Sequence, residues 1–152
     1  MNNITTTASL AALLCAAPAV LVSCSPRTAQ DSLNEEIATI SEALDILEAT
    51  TQENAADMLA KLEKLEARRK EMYTHRGTLS PDEVKKVYQD ENTQQRMREL
   101  TTRLNEEIAP NFIPRLFQAG DAAGDMRKVS DIVLRYCEIL PRQTSAPVRP
   151  SH

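Results

Sequence analysis

Cysteine and histidine are the residues of this chain best suited to nucleophilic, redox or metal chemistry, and both are scarce. The 152 residues include three cysteines and two histidines. Cys137 lies near Val133, Tyr136 and Leu140, which is typical of a buried, unreactive thiol, with an intermolecular disulfide as the alternative. His75 is the only histidine away from the chain end, so neither a Ser-His-acid set nor a metal site is predicted. We therefore expect no catalytic residue, no metal and no cofactor.

Paired carboxylates are the other groups that could do acid–base or calcium chemistry. Glu35–Glu36 and Glu106–Glu107 are adjacent in sequence, and adjacent helical positions point about 100° apart, so neither pair shares a proton site. Asp121 and Asp125 lack the alternating carboxylates of an EF-hand calcium loop. We expect the glutamates on solvated helix faces and one of the two aspartates at the N-cap of a helix.

The composition favours helices over every fold that needs glycine-rich loops. The chain has only 3 glycines and 3% aromatic residues, which argues against Rossmann, P-loop, β-sandwich and barrel folds. Its abundant residues, such as Ala, Leu, Glu and Arg, are mostly helix formers. The net charge of −4 predicts neither nucleic-acid binding nor polybasic attachment to a membrane.

The first twenty-four residues have the features of an export signal. The first charged side chain is Arg27, and residues 8–22 are almost continuously small or apolar. This run is too short to cross ~30 Å of hydrocarbon as a helix, and it fits the apolar region of a secretory signal peptide. Leu21-Val22-Ser23-Cys24 resembles the lipobox of bacterial lipoproteins, in which the cysteine is diacylated and becomes the mature N-terminus.

The resemblance to lipoproteins implies a location as well as an anchor. It makes residues 1–23 a signal peptide, Cys24 the lipidation site, and the protein an exported one held by acyl chains on the periplasmic side of a membrane. Ser25 in place of aspartate favours the outer membrane. Cleavage after Ala17-Pro18-Ala19, giving a soluble secreted protein, and a short uncleaved anchor are the alternatives.

The mature chain begins with a long amphipathic pattern. Apolar residues follow at spacings of 4, 3, 4 and 3, a stripe of coiled-coil type formed by Leu33, Ile37, Ile40, Leu44 and Leu47. The pattern resumes from Ala55 to Met72. A continuous helix over 33–75, ~65 Å long, is the favoured interpretation. The alternative is a break in which Thr50 and Glu53 form the capping box of a second helix.

The rest of the sequence predicts two further helices. Gly77 is expected to end the first helix in the left-handed conformation, and Ser80, Pro81 and Glu83 are typical of a new helix start. Pro110 and Pro114 are expected to interrupt that second helix, with 112–117 as a separate helical turn ending near Gly120. A last helix, capped by one of the two aspartates, is expected to turn its apolar side inward and to stop at Pro141. Its inward residues are Val129, Ile132, Val133, Tyr136 and Leu140.

These elements predict an all-α fold: a long helical hairpin plus a C-terminal helix, as a three-helix bundle or an antiparallel coiled coil. The expected organisation is a signal peptide over 1–23, the lipidated cysteine and a short tether over 24–31, a helical domain over 32–140, and a disordered tail over 141–152. Because the core contains few aromatic residues, we expect it to need a partner or self-association to pack well.

Charge is unevenly distributed along the first predicted helix. Residues 31–57 contain acidic side chains and no Lys or Arg, whereas residues 61–76 are mainly basic. A continuous helix would therefore be acidic near the membrane and basic at its far end. One interpretation is complementarity to Arg96, Arg98 and Arg103 on the second helix; the other is a docking surface for a basic partner.

The resulting expectation is a non-catalytic, lipid-anchored helical envelope protein that acts through protein–protein contacts, as an adaptor or a structural element. The membrane, through acyl chains on Cys24, and a protein partner or a second copy are the expected partners. The stripe Leu33–Leu47 is expected to carry packing, internal or with a partner. One alternative is an envelope spacer similar to the murein lipoproteins. Another is a carrier or enzyme that uses Phe112–Phe117 as a pocket wall for a small apolar ligand, although that segment more readily forms core.

Overall fold

Helices account for nearly all of residues 28–141, the part of the chain that the computed structural model describes. No strand occurs in this range, so the predicted all-α fold is confirmed. Cys24 and the tail 142–152 lie outside the described residues. The α-helices are α1 Ala29–Ala49, α2 Ala55–Arg76, α3 Pro81–Gln89, α4 Glu91–Thr102, α5 Ala109–Ala119 and α6 Gly124–Tyr136.

The first helix begins earlier than expected. Thr28 is its N-cap: the Thr28 hydroxyl accepts a bond from the backbone N–H of Asp31 (3.1 Å), and the Asp31 carboxylate accepts one from the N–H of Thr28 (3.0 Å). Such a reciprocal capping box satisfies two backbone donors that a helix start otherwise leaves unpaired. Residues 29–31, which were expected to belong to the tether over 24–31, are therefore part of α1, since the helix already starts at Ala29.

The favoured continuous helix over 33–75 is wrong, because the chain turns back at residues 50–54. Thr50 adopts an extended conformation at the end of α1, and its hydroxyl donates to the carbonyl of Ile46 (2.6 Å). The Asn54 side chain closes the turn by accepting from the N–H of Thr51 (2.7 Å) and donating to the carbonyl of Ala49 (2.9 Å). The expected alternative had the break in the right place but the wrong cap, since α2 follows Asn54 and not Thr50.

The stripe of α1 lies in the middle of the bundle. All five side chains from Leu33 to Leu47 are buried, with Ile40 at 1% and Leu44 at 0% exposure. The antiparallel α2 and the C-terminal α6 both pack on α1, and α6 also packs on α2. The main contributors from these two helices are Met58, Leu62, Leu65, Met126, Val129, Val133 and Tyr136. Packing of the stripe is thus internal to the chain.

Residues 81–119 form the fourth side of the bundle. The predicted start at Ser80 and Pro81 is confirmed, whereas Gly77 has φ −60° and not the left-handed conformation expected of it. The carboxylate of Asp90 then caps α4 by accepting from the N–H of Thr93 (3.1 Å). From Asp90 onward this part of the chain runs parallel to α1. It contributes Met97, Ile108 and Phe112 to the core.

Helical structure continues through both prolines that were expected to break it. A π-helical segment, Arg103–Ile108, joins α4 to α5, and the backbone N–H of Ala109 bonds to the carbonyl of Leu104 five residues earlier. The wider turn of a π-helix moves backbone carbonyls away from the position where the Pro110 ring would collide with one. The predicted separate turn over 112–117 is therefore part of α5.

The last helix is reached through a 3-10 turn over Gly120–Ala123, with Gly120 at φ +53°. Neither Asp121 nor Asp125 caps α6 as expected, because the N-cap is Ala123; Asp125 instead pairs with Lys128 (2.8 Å). Four of the five residues predicted to face inward are buried, and Ile132 is half-buried. No helix within residues 28–141 is long and apolar enough to cross a membrane.

Candidate interaction surface

A carboxylate buried near one end of the bundle holds three helices together. Glu36 of α1 is 1% exposed. It accepts hydrogen bonds from the hydroxyl of Tyr73 (2.7 Å) and from the guanidinium of Arg76 (2.7 Å), both on α2, and from the hydroxyl of Tyr88 on α3. Arg76 also donates to the Tyr88 oxygen. We call these four residues the Glu36 cluster.

The electrostatics of the Glu36 cluster keep both phenols protonated. Burial, and then the bond to the Glu36 carboxylate, raise the pKa of Tyr88 far above its usual value of 10, and the same causes raise the pKa of Tyr73. Burial by itself would lower the pKa of Arg76, but the bonds to Tyr88 and Glu36 outweigh it and raise that pKa. With three donors on one carboxylate, the cluster is suited to fixing helices and not to moving protons.

Arg69 extends this cluster towards α6. Its guanidinium lies 4.3 Å from the centre of the Tyr136 ring and 5.2 Å from that of Tyr73, and it donates to the Tyr73 hydroxyl (3.2 Å). Cation–π contacts of this kind favour a partly desolvated guanidinium. Tyr136 is fully buried, and its hydroxyl has no hydrogen-bond partner within residues 28–141. Each of the three tyrosines of the chain therefore contacts the guanidinium of Arg69 or Arg76.

Sequence reasoning missed this cluster, since Glu36 was assigned to a solvated face. A signal was present on α2, where positions 69, 73 and 76 share one side of a helix and carry Arg, Tyr and Arg. Nothing in the local pattern, however, indicated that a glutamate 37 residues before Tyr73 would be its acceptor.

The acidic outer side of α1 pairs with arginines from its neighbours. Arg103 bonds to both Asp45 and Glu48 (2.6 Å each), and Arg68 bonds to Glu42 (2.7 Å). The predicted complementarity thus holds for Arg103, whereas Arg96 bonds to the amide of Asn34 and Arg98 is exposed. The expected separation into an acidic end and a distant basic end is wrong, because the hairpin returns the basic part of α2 beside α1.

The outer side of α5 is apolar and uncovered. Phe117 is 79% exposed and Ile113 is 47% exposed, the first being the most exposed large hydrophobic side chain in the described range. Pro110 and Pro114 are exposed as well, so positions i, i+3, i+4 and i+7 form one continuous strip. We call these four residues the α5 face. The expectation that Phe112–Phe117 is core therefore holds for Phe112, at 3% exposure, but not for Phe117.

The α5 face lies at the end of the bundle opposite Thr28. Arg115, on the inner side of α5, donates to the carbonyls of Glu48 and Thr50 (3.1 Å each), which close the C-terminal end of α1. With 21 residues, α1 is about 30 Å long. The N-terminus of the described chain and the α5 face are thus separated by about the length of α1.

Two carboxylates precede the α5 face in the same continuous helical segment. Glu106 and Glu107, in the π segment, are exposed, and neither forms an ion pair with another residue of the range 28–141. They lie about one turn before Pro110. The face therefore has a negative border on the side of the π segment.

The remaining predicted residues lie away from this surface. Cys137 is half-buried and free, and burial raises the pKa of its thiol to about 11, in keeping with an unreactive cysteine. His75 is exposed in the last turn of α2. Among the described residues, no group of three His, Cys, Asp or Glu side chains could hold a metal ion.

A groove between α2 and α6 is another surface feature relevant to ligands. Leu59, Ile132 and Leu134 line it together with acidic and basic side chains, and it is open to solvent. Such a groove does not enclose an apolar molecule as a carrier would. Comparison of the chain with known protein families, curated proteins and solved structures finds no match.

Proposed function

We propose that this chain is a lipid-anchored helical protein of the bacterial cell envelope that acts, without catalysis, by binding another protein through the α5 face. Cys24 carries the acyl chains and holds the protein at the periplasmic side of a membrane, with the outer membrane favoured. Two or three acyl chains are enough for stable attachment.

The observation that carries the proposal is the exposure of Ile113 and Phe117 in a helix whose other side is held to the bundle by the buried Phe112 and by Arg115. Together with the two prolines they expose apolar surface on the order of 300 Å², which is the size of patch that is often functional in soluble proteins. Scattered single hydrophobic residues would need no explanation, but four in helical register form a contact strip.

The position of the α5 face suits an anchored protein. Three residues separate Cys24 from Thr28, a span of at most about 14 Å, so the start of α1 stays close to the membrane surface. The α5 face lies at the other end of α1, about 30 Å further along the helix. An anchored bundle can therefore present the face to a partner without burying it in lipid.

Arg115 and the Glu36 cluster support the same interpretation by making the bundle stiff. Arg115 joins α5 to the last carbonyls of α1, and the Glu36 cluster joins α1, α2 and α3 at the opposite end. A contact surface held on rigid elements loses less conformational entropy on binding than a mobile one.

The test is crosslinking of the tagged protein in its native cells. We expect Cys24→Ala to leave the membrane fraction and lose its crosslinks to a partner protein. Phe117→Ser should stay in the membrane fraction but lose the same crosslinks, whereas Leu134→Ser, an exposed hydrophobic residue on α6, should keep them. Crosslinks that survive Phe117→Ser would contradict the proposal, and crosslinks only to other copies of the chain would favour the spacer similar to murein lipoproteins.

A further inference from the structure

We infer that α5 is the inserted helix of a helix-in-groove contact, and that its partner is a protein with an apolar groove bordered by Lys or Arg side chains. This inference rests on the proposed function, because it specifies the partner of the same α5 face. It goes further in stating the shape and the charge that the partner must have.

The shape of the α5 face is convex. Its members occupy positions i, i+3, i+4 and i+7, which is the anchor spacing of amphipathic helices that lie in hydrophobic grooves. Phe117, at 79% exposure, projects furthest and is suited to fill a pocket. Since the protruding side chains are on this chain, the partner has to supply the concave surface.

The α5 helix is already formed before any partner arrives. Phe112 anchors its inner side in the core at 3% exposure, and Arg115 ties it to α1. Many inserted helices are disordered when free and lose affinity through the entropy of folding on binding. Here the conformational entropy of α5 is already lost when the bundle folds, so binding does not reduce it again. A small contact surface can therefore give measurable affinity.

The charge of the border comes from Glu106 and Glu107. Both are exposed, and neither has an ion-pair partner among residues 28–141, although acidic side chains on α1 are paired with arginines. Complementary charge on the rim of the partner's groove would steer the encounter and set the direction in which α5 lies. A rim of Lys or Arg is therefore the complement.

Two other occupants fit the α5 face less well. A second copy would present the same convex face with the same two exposed glutamates, so like charges would meet and neither copy would supply a groove, which argues against a second copy. A membrane with anionic lipids would repel the two glutamates, and the face lies at the end of the bundle away from Thr28.

The experiment uses the full lipidated chain in its native cells, with a photo-crosslinking amino acid at position 113. The captured protein is identified and purified, and its affinity is measured for the wild-type chain, for Phe117→Ser, and for the double variant Glu106→Lys/Glu107→Lys. Glu63→Lys/Glu71→Lys on α2 is the matched control, because it makes the same charge change at two exposed positions of another helix. Thermal unfolding of each variant checks that the bundle is intact.

We expect Phe117→Ser and the Glu106→Lys/Glu107→Lys variant each to weaken binding about tenfold or more, and the control to change it less than about twofold. The charge variant should also reduce the dependence of affinity on salt concentration. If Phe117→Ser weakens binding but the charge variant does not, the basic rim is wrong while the proposed function stands. If neither has an effect, both are wrong. Crosslinks from position 113 only to lipid or to another copy of this chain, or no crosslink there, would also overturn the inference.

Discussion

Glu36 illustrates how a charge is accommodated where water cannot reach it. An uncompensated carboxylate in the interior would be strongly unfavourable, but Glu36 accepts bonds from Tyr73, Arg76 and Tyr88. These donors come from two other helices, so the carboxylate also aligns α2 and α3 with α1. The Glu36 cluster thus specifies how the helices are arranged, in addition to satisfying its own charge.

At this scale the first prediction concerns Glu36→Gln. The amide keeps the size of the side chain but leaves the Arg76 cation without its counter-charge, so we expect the free energy of unfolding to fall by about 3 kcal/mol in urea denaturation. Glu42→Gln is the control on the same helix: its pair with Arg68 is about half exposed, and we expect a loss below about 1 kcal/mol. Equal losses for the two variants would contradict a stabilising role for the cluster.

The second prediction at the residue scale is a loss of stability at high pH. Burial raises the pKa of Tyr136 from 10.0 to about 12 and also raises the pKa of Tyr88, so the folded state favours the protonated phenols. This stabilisation is complete below pH 10 and is lost as the pH rises through 12. Burial also raises the pKa of Cys137 from 9.0 to about 11. The stability that comes from its protonated thiol therefore begins to be lost one pH unit lower than that of the tyrosines.

Urea denaturation between pH 8 and 12 measures this effect, and a midpoint that stays constant over the range would disprove it. Tyr136→Phe should reduce the fall above pH 10. Because the Tyr136 hydroxyl has no partner within residues 28–141, the same variant should change the stability at pH 7 by less than about 1 kcal/mol.

Among the elements, α1 is the most enclosed, because all five other α-helices pack against it. Its stripe matches the period of a helix, so one side of α1 is apolar along its whole length. Dispersion contacts and removal of apolar surface from water on that side are the main stabilising contributions to the bundle.

The prediction for α1 is that Ile40→Asp abolishes or nearly abolishes the folded state. Ile40 is 1% exposed, so an aspartate there would place a carboxylate out of reach of water in the core, and we expect a loss of at least about 4 kcal/mol. Ala38→Asp, exposed on the same helix, should lose less than about 1 kcal/mol. Circular dichroism during thermal unfolding compares the two, and a cooperative transition for Ile40→Asp near that of the wild type would refute the prediction.

In the continuous helical segment formed by α4, the π segment and α5, packing outweighs the local preference of proline against a helix. Pro110 and Pro114 disfavour a helix, but Phe112 gains burial and Arg115 gains two backbone acceptors when the helix continues. The π segment provides the wider turn that this continuation needs.

We therefore predict that Pro114→Ala stabilises the isolated protein. Alanine restores a backbone N–H to the interior of α5 and removes an unfavourable ring, which should raise the free energy of unfolding by about 1–2 kcal/mol after the greater freedom of the unfolded chain is subtracted. Chemical denaturation measures it. Unchanged or lower stability would mean that the proline is already accommodated without strain.

At the scale of the whole molecule, the hairpin determines which surfaces share an end of the bundle. It brings Tyr73 and Arg76 back beside Glu36, close to the start of α1, and leaves the α5 face at the other end. The proposed function depends on this arrangement, since the lipid anchor and the contact surface must not coincide.

The hairpin predicts a short distance between spin labels at exposed positions 38 and 74. Neighbouring helices lie 8–10 Å apart, so the labels should be about 10–25 Å apart by pulsed electron paramagnetic resonance. A continuous helix would separate them by about 54 Å. The labels need a Cys137→Ala background, and a dominant distance near the longer value would refute the hairpin.

Much of the secondary structure was predictable because it depends on residues within one or two turns of each other. Spacing and helix-start residues correctly predicted three features: the stripe from Leu33 to Leu47, the start at Ser80 and Pro81, and the inward side of α6. The turn at 50–54 was mispredicted, since a helix that continues and one that breaks are nearly equal in local energy there. The passage through Pro110 was mispredicted for another reason: the local preference of proline is against a helix, and packing outweighs it. Tertiary contacts decided both.

The hexapeptide Leu-Asn-Glu-Glu-Ile-Ala separates what the sequence determines from what the tertiary structure decides. It occurs at 33–38 and again at 104–109, and in both copies it is helical with its Ile buried, because composition and spacing require that. In the first copy the second glutamate, Glu36, is buried among tyrosines and an arginine, while in the second copy its equivalent, Glu107, borders an exposed face. Local propensity acts through neighbours along the chain and is the same for both copies. Burial depends on Arg76 and Tyr88, which lie 40 and 52 residues from Glu36 and meet it only when the bundle has formed.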